Sequence, residues 1–276
     1  MKSMKNLSRI YTILIILLLY TPILVMILFS FNSSVSTSSF EGFSLKWYKE
    51  LFAKDEVAEA LKNTLLLAVL SSFIATVLGT AAAVGISHMR KNWRTPVLTV
   101  TNIPMMNPDI VTAVSLLMFF VFVSSLLGVS SRNFFTVLIA HITFNLPYVV
   151  LSVMPKIRQM DKNLPEAAQD LGCTPLQSFF LVELPAILPG VLSGMLMAFT
   201  LSLDDFIITQ FTKGEGFYTL PTYIYSMTKK KVKPDMYALS TLIFLVILAL
   251  MVASNVIQAR MEAKRSPQQK QKNAKK

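Results

Sequence analysis

Six long apolar runs, separated by short polar and charged blocks, constrain what this 276-residue chain can fold into. Each run has about 20 residues or more, the length of helix that crosses the hydrocarbon core of a bilayer. Backbone groups in lipid must form their hydrogen bonds within the spanning segment, so helices are the expected form. The sequence therefore predicts an all-α membrane protein with six transmembrane helices: Ile10–Phe31, Leu61–Ser87, Pro96–Ser124, Phe134–Met154, Ala186–Phe211 and Tyr237–Gln258.

The charged residues lie almost entirely between these runs. Only 15% of the chain is charged, against 53% hydrophobic, and the net charge is +11. The segments on the side of the N-terminus carry the larger share of Lys and Arg, which predicts cytoplasmic N and C termini. A block at Lys229, Lys230, Lys231 and Lys233 runs against this rule. The basic excess therefore indicates membrane flanks, and we expect no nucleic acid as a partner.

Two regions outside the spans have a distinct character: the C-terminal tail and the segment between the first two spans. Residues 1–259 are predicted to form one transmembrane domain, and residues 260–276 a basic, disordered tail that contacts solvent or anionic lipid headgroups. Between the first two spans, Trp47, Tyr48, Leu51 and Phe52 fall on one helical face. This spacing predicts a short helix lying on the outer membrane surface.

Motifs of covalent chemistry are absent from the sequence. A single cysteine, Cys173, excludes an internal disulfide, and the Cys and His residues lack zinc-like spacing. No phosphate loop, HExxH motif or nucleophile elbow occurs. We therefore expect no catalytic residue, no metal ligand and no cofactor bound by this chain.

The loop between the fourth and fifth spans, residues 156–189, has its own helical signals. Asn163, followed by Pro165 and Glu166, resembles a helix start, and Thr174-Pro175-Leu176-Gln177 repeats the pattern. Gly172 lies between the two starts, where glycine allows the left-handed turn that ends a helix. The loop is therefore predicted to be a helix, a tight turn and a second helix.

The same loop resembles a known family signature. Glu166-Ala167-Ala168, three residues, Gly172, nine residues and then Val182-Glu183-Leu184-Pro185 resemble the EAA loop of ABC-importer inner-membrane permeases, with Val182 where the family pattern has Ile. The resemblance implies a fold like that of type I importer permeases and a cytoplasmic loop that docks into an ATPase. It implies a coupling role for these residues: Glu166, Ala167, Ala168, Gly172, Val182, Leu184 and Pro185.

Four further stretches resemble the polyamine-importing members of this family: Met106–Val111, His141–Pro147, Phe199–Asp205 and Tyr225–Met227. The resemblance implies a permease for spermidine or putrescine in the bacterial inner membrane. It also implies three partners, which are a homodimeric ATPase that binds ATP and Mg, a second related permease and an extracytoplasmic substrate-binding protein.

Three acidic residues lie within the predicted spans without a basic residue at their depth: Asp109, Asp204 and Asp205. An intramembrane charge is costly and usually faces a cavity or a partner, and a cationic cargo would supply the missing countercharge. Adjacent residues of a helix point about 100° apart. We therefore expect one of Asp204 and Asp205 to line the path and the other to accept hydrogen bonds from a neighbouring helix. Asn107 or Asp109 is expected to cap a restarted third helix after Pro104 and Pro108.

Three other side chains are candidates for the substrate path. His141 is a candidate ligand, although a buried neutral imidazole in a hydrogen bond is the favoured explanation. Tyr148 and Tyr225 offer aromatic faces to an ammonium group, although aromatic residues also serve as packing.

Two alternatives stay open on the sequence. One keeps the architecture and changes the cargo to another small solute such as sulfate or phosphate, which intramembrane carboxylates disfavour. The other is a stand-alone secondary transporter or channel, which leaves the loop signature unexplained. A membrane enzyme is the weakest alternative because no catalytic constellation is present.

Overall fold

The computed structural model describes residues 2–34, 39–128, 132–161, 163–229 and 234–273, and these are nearly all helical. A five-residue π-helical stretch, Phe179–Glu183, joins α8 to α9. The helices are α1 Lys2–Ser30, α2 Lys46–Phe52, α3 Asp55–His88, α4 Lys91–Met106, α5 Asp109–Leu127, α6 Phe134–Gln159, α7 Asn163–Asp170, α8 Pro175–Ser178, α9 Leu184–Asp204, α10 Ile207–Thr212, α11 Leu220–Thr228 and α12 Pro234–Asn273.

Six segments of the described chain are long and apolar enough to cross a membrane, as the sequence predicts. They fall within α1, α3, α5, α6, the continuous α8–α9 segment and α12. Their bounds are Arg9–Ser30, Asp55–His88, Asp109–Leu126, Phe134–Gln159, Pro175–Asp204 and Pro234–Ala253. The all-α membrane fold class is therefore confirmed.

The predicted third span, Pro96–Ser124, is two helices rather than one. Helix α4 ends at Met106. The next residue, Asn107, has an extended ψ of 143°, and α5 begins after Pro108. Proline lacks an N–H and disfavours the helical conformation of the residue before it. The expectation that Asn107 or Asp109 caps the second helix is wrong, because Pro108 occupies the cap position and Asp109 is the first helical residue.

The predicted fifth span, Ala186–Phe211, is also interrupted. Helix α9 ends at Asp204, Asp205 has an extended ψ of 125°, and the short α10 starts at Ile207. No proline stands at this break. Its cause is the side chain of Asp205, described with the functional site below.

The chain divides into two compact units, the first comprising residues 1–59 and 223–250. In this unit the Trp47 indole N–H donates to the Asn32 carbonyl at 2.6 Å. Trp47 and Leu51 of α2 are buried, as expected for residues one turn apart. Phe52, predicted to share their face, is 73% exposed, because it lies about 100° further round the helix. The predicted helix is present, and its apolar side packs on the protein.

The second unit comprises residues 60–222 and 251–276. Its core packs α6 against α9 and the membrane part of α3. Small residues allow the close approach: a Cβ added at Gly190 would lie 2.8 Å from the Ser152 carbonyl oxygen, and one at Gly79 would lie 2.7 Å from Val149 Cβ. Membrane helices use such small residues because lipid provides no hydrophobic force between them.

Helix α12 continues to Asn273, across the basic stretch for which the sequence predicts disorder. Ala, Met, Gln, Lys and Arg are strong helix formers, which favours this continuation. The predicted boundary at residue 260 stays a prediction. Residues 230–233, which hold most of the anomalous lysine block, lie outside the described residues.

The close α6–α9 approach generates the first prediction. Gly190→Leu should destabilise the protein by about 1–3 kcal/mol or prevent its folding, because the new side chain meets the backbone of Ser152 and Val153 as well as the Lys156 side chain. Gly85→Leu is the matched control, since a Cβ at Gly85 has nothing within 4 Å. Thermal unfolding of the detergent-purified variants tests this. Equal stability of the two variants would contradict the packing described.

Candidate functional site

Asp205 occupies the break between α9 and α10 and caps the shorter helix. Its carboxylate accepts the backbone N–H of Ile208 at 3.2 Å and of Thr209 at 2.8 Å. The Thr209 hydroxyl donates to the same carboxylate at 2.8 Å. Backbone groups freed by a helix break inside a membrane segment need such partners, because lipid offers none. Asp205 therefore satisfies the start of α10.

His141 of α6 connects this cap to two other helices. Its Nε2 lies 2.9 Å from Thr209 Oγ1 and 3.4 Å from an Asp205 carboxylate oxygen. Its Nδ1 lies 2.6 Å from Ser202 Oγ of α9, which in turn lies 2.8 Å from Ser71 Oγ of α3. His141 has no exposed surface. The buried chain of hydroxyl, imidazole and carboxylate groups thus ties α3, α6, α9 and α10 together.

The hydrogen-bond network fixes the role of one ring nitrogen of His141. The Thr209 hydroxyl already donates to Asp205, so its oxygen is an acceptor for an Nε2–H. The bond between Nδ1 and the Ser202 hydroxyl can run in either direction. Both ring nitrogens therefore have protein partners, which agrees with the interpretation of His141 as a buried, hydrogen-bonded imidazole.

Asp204, one residue before the break, has a different environment. It is the last residue of α9 and its side chain is exposed. Within the described parts of the chain, no Lys or Arg lies within 4 Å of Asp204 or of Asp109. The two adjacent carboxylates are thus distinguished by geometry: Asp205 is held by the protein, and Asp204 is available to a mobile cation or to another chain.

The remaining predicted path residues are spread over the fold. Asp109 is exposed at the start of α5, and Tyr148 is half-buried on α6, two helical turns from His141. Tyr225 lies on α11 in the other compact unit, where the Lys229 ammonium stands 4.9 Å from its ring centroid. The structure therefore brings His141, Asp204 and Asp205 together in one unit. The ring of Tyr225, in contrast, is in contact with the ammonium group of Lys229.

Four residues near this network escaped the sequence analysis. Ser71, Ser202 and Thr209 complete the hydrogen bonds, and Ser and Thr are too common in membrane helices to be singled out by spacing. Asn145, one turn from His141, is fully buried, and neither atom of its amide has a partner in the described structure. A buried amide without a partner is costly, so Asn145 is a polar position that packing alone does not explain.

The loop after α6 forms the predicted helix, turn and helix. Helix α7 ends at Asp170 and is followed by a turn at Gly172, whose φ is +93°. The Gly172 N–H donates to the Gln169 carbonyl and the Cys173 N–H to the Ala168 carbonyl. These two bonds constitute a Schellman motif. Thr174 and Gln177 form a reciprocal capping box at the start of α8, with Pro175 first in the helix. The predicted capping of α8 and the turn at Gly172 are confirmed.

The start of α7 differs from expectation. Asn163 is itself the first residue of the helix, and its backbone N–H bonds to the Asp161 carboxylate at 3.1 Å. The Ser178 hydroxyl donates to the Pro165 carbonyl at 3.1 Å, which fixes α8 against α7. The loop is therefore a rigid, internally bonded knob.

The surface of this knob is apolar at its tip. Leu171 is 87% and Leu176 72% exposed, on either side of the Gly172 turn. Sequence analysis missed both leucines, because their exposure depends on the turn. Among the predicted coupling residues, Glu166, Ala167, Gly172 and Pro185 are exposed, Val182 is half-buried, Ala168 is buried, and Leu184 packs on the α6–α9 core. Ala168 and Leu184 thus support the knob from inside.

Glu166 faces a charged recess beside the knob. An open cleft of about 860 Å³ is lined by Arg94, Arg158, Glu166 and Glu183, together with His88 and apolar residues. Both signs of charge line it, so it presents a polar wall next to the apolar tip. Among the residues that the structure describes, no cluster of three or more Cys, His, Asp or Glu side chains is arranged for a metal ion.

Six membrane helices, a helix broken at paired carboxylates and a rigid loop with an apolar tip define a helical membrane protein of the transporter class. A family model described as "Binding-protein-dependent transport system inner membrane component" matches residues 75–267. The chain belongs to this family. It is a multi-pass inner-membrane permease subunit and therefore a transport protein rather than an enzyme.

Named relatives agree with this assignment. The chain is 39% identical over 227 residues to "Putrescine transport system permease protein PotI" of Escherichia coli (strain K12), covering 82% of this chain and 81% of that one. It is 37% identical over 239 residues to "Spermidine/putrescine transport system permease protein PotC" of the same strain, covering 87% and 89%. These similarities confirm the resemblance drawn from the sequence.

A solved structure shares the fold. The chain matches a bacterial alginate ABC transporter, crystallised in complex with an alginate pentasaccharide-bound periplasmic protein, with a TM-score of 0.71 and 21% identity over 94% of this chain and 97% of that one. At this identity the likeness concerns the fold alone.

The contrast between the two carboxylates generates the second prediction. Asp205→Ala removes three hydrogen bonds at the start of α10 and should lower stability by about 1–3 kcal/mol. Asp204→Ala removes the same charge from an exposed position and should change stability by about 0.5 kcal/mol or less. Thermal unfolding in detergent or nanodiscs compares them. The assignment fails if Asp204→Ala is the more destabilised variant.

Proposed function

We propose that this chain forms the translocation path for polyamines, spermidine and putrescine, together with a second related permease. The observation that carries the proposal is the exposed Asp204 carboxylate at the helix break, without a Lys or Arg within 4 Å in the described chain. A cationic cargo supplies the missing countercharge as it passes. The names of PotI and PotC, which are similar over more than 80% of this chain, support this cargo.

Asp204 and Asp205 have separate tasks in this proposal. Asp205 contacts His141 and the backbone at the start of α10, and these contacts fix the backbone conformation at the helix break. Asp204 then offers one exposed carboxylate to an ammonium group, and Asp109 offers a second on α5. Single carboxylates bind weakly in a partly hydrated path, which suits transport because tightly held cargo would not leave. Tyr148 and Tyr225 stay proposed aromatic contacts.

Coupling to ATP is proposed to act through the loop at residues 156–189. A homodimeric ATPase, which binds ATP and Mg, would receive the apolar tip formed by Leu171 and Leu176. The continuous helical segment from Pro175 to Asp204, 30 residues or about 45 Å long, supports this coupling proposal. A displacement of the loop therefore reaches Asp204 along one rod, which links ATPase movement to the path.

The remaining partners and the orientation complete the proposal. An extracytoplasmic substrate-binding protein would deliver the cargo, and the described complex of the alginate transporter with its periplasmic protein supports such a partner. The bias of Lys and Arg supports cytoplasmic N and C termini. A loop that meets an ATPase must also be cytoplasmic, which places both termini on the same side through an even number of spans.

An anionic cargo is the second candidate, and a single assay separates the two. Sulfate or phosphate would meet exposed carboxylates along the path and be repelled. Uptake of labelled spermidine by the reconstituted complex, challenged with putrescine, sulfate or phosphate, decides the cargo. Competition by sulfate or phosphate alone would overturn the polyamine assignment.

The third prediction concerns the path. Asp204→Asn should lower ATP-dependent spermidine uptake about tenfold, which corresponds to ~1.4 kcal/mol of lost attraction. Glu215→Gln is the control, because it removes one exposed carboxylate in the loop that follows α10. Uptake is measured in proteoliposomes at equal protein content. Unchanged uptake by Asp204→Asn removes this residue from the path.

The fourth prediction concerns coupling. Gly172→Leu forces a side chain onto a φ of +93° and should abolish ATP-coupled uptake and weaken ATPase retention during purification. Gly216→Leu imposes a similar strain at a φ of +79°, outside the loop, and also has open space around its Cβ. It should therefore retain the ATPase. Equal retention by the two variants would show that the loop does not dock.

A further inference from the structure

Lys54 and Asp235 form an ion pair in the first compact unit. Lys54 Nζ lies 2.5 Å from Asp235 Oδ2, which joins the turn between α2 and α3 to the start of α12. The two side chains differ in burial: 36% of Lys54 is exposed, against 6% of Asp235. Lys54 can therefore move into the surrounding medium, whereas the carboxylate stays in place.

Asp235 has unused hydrogen-bonding capacity. Its second oxygen, Oδ1, is buried and has no partner in the described structure. The residue lines a cavity of about 10 Å³, together with Lys54, Tyr223 and a mainly apolar wall that includes Val57 and Met227. A volume of this size holds one water molecule or a group as small as an ammonium. The residue that carries this buried acceptor, Asp235, thus borders a space large enough for one small hydrogen-bond donor.

A second carboxylate adds to the negative charge of this place. The Tyr223 hydroxyl donates to Glu56 Oε2 at 3.2 Å. Burial, together with the nearby Glu56 carboxylate, raises the pKa of Tyr223 to about 12, so the phenol is neutral at physiological pH. Glu56 and Asp235 therefore contribute two negative charges and Lys54 one positive charge, which leaves the group with a net charge of −1.

We propose that Asp235, Glu56 and Tyr223 form a binding site for a primary alkylammonium group, which the Lys54 side chain occupies in this conformation. An arriving alkylammonium takes the place of the Lys54 ammonium on Asp235, and its methylene groups lie against the wall that includes Val57 and Met227. The Lys54 ammonium thus occupies the position that the ammonium group of the ligand would take. That the ligand is an end of the polyamine cargo rests on the proposed function.

The chemistry of the lining favours an alkylammonium over a metal ion. Ca²⁺ and Mg²⁺ require six or more oxygen ligands, and the cavity offers one carboxylate, that of Asp235, and one phenol among apolar side chains, with the Glu56 carboxylate bonded to the phenol outside the lining. An alkylammonium needs a few oxygen acceptors and an apolar surface for its chain. Lysine is itself a primary alkylammonium, so its fit to Asp235 demonstrates the geometry.

The test is rescue of a vacated site, measured as the unfolding temperature of the full-length chain purified with its partner subunits. Lys54→Ala leaves Asp235 buried without its cation and should lower the unfolding temperature by several degrees. Millimolar propylammonium chloride should recover at least half of this loss. Tetramethylammonium chloride at the same concentration, which cannot donate a hydrogen bond, should recover little.

Two further variants make the result specific. Lys54→Ala combined with Asp235→Asn should show no preference between the two salts, because the acceptor charge is gone. Lys54→Gln, which keeps a polar stem, serves if Lys54→Ala does not fold, and it should respond to propylammonium in the same way. An equal response to the two salts in every Lys54 variant would overturn the proposal.

The same variants separate this site from the proposed function. Spermidine and putrescine should stabilise Lys54→Gln at lower concentrations than they stabilise the unmodified protein, because Lys54 no longer competes. If propylammonium rescues the variant but polyamines do not, the alkylammonium site stands and its assignment to cargo falls. Loss of spermidine uptake in Asp204→Asn is measured independently, so either result can fail alone.

Discussion

The need to satisfy backbone hydrogen bonds inside a membrane is the constraint on which this structure depends. Helices meet it along most of the described chain, and where the predicted fifth span breaks, the carboxylate of Asp205 replaces the missing intrahelical partners. That replacement puts a charge into the membrane region and so requires further donors, which Thr209 supplies and His141 orders. The break, the buried network and the exposed Asp204 beside it are consequences of one backbone requirement.

Close helix packing converts this local break into a site held by four helices. Small residues let α3, α6 and α9 approach closely. Ser202 then lies within hydrogen-bonding distance of both Ser71 and His141. Because the links from Ser71 through Ser202 and His141 to Thr209 are buried, displacing one helix strains the others. The loop at residues 156–189 joins the same assembly through the helical segment that ends at Asp204. The proposed path therefore depends on the contacts that hold these helices together.

Lysines of this chain repeatedly contact acidic or aromatic groups of the kind that the proposed cationic cargo would need. Lys54 lies on Asp235, Lys229 on the ring of Tyr225, and Lys213 on the ring of Tyr218, with its Nζ 3.9 Å from the ring centroid. Burial lowers the pKa of Lys213, so its ammonium gives up hydration to hold that position. Acidic and aromatic groups attract a lysine ammonium by the same interactions that would hold the ammonium of the proposed cargo.

Local chemistry in the sequence determined the six apolar segments, the interruption at Pro108, the left-handed turn at Gly172 and the capping box at Thr174, because each depends on residues within a few positions. It also pointed to Asp204 and Asp205 as paired carboxylates. Only the tertiary structure decided which of them is held and which is exposed, since His141, 64 positions before Asp205, approaches its carboxylate to 3.4 Å. The same holds for Lys54 and Asp235, separated by 181 positions. Hydrogen bonds between distant helices have no local signature, and their partners are defined only when packing brings the helices together.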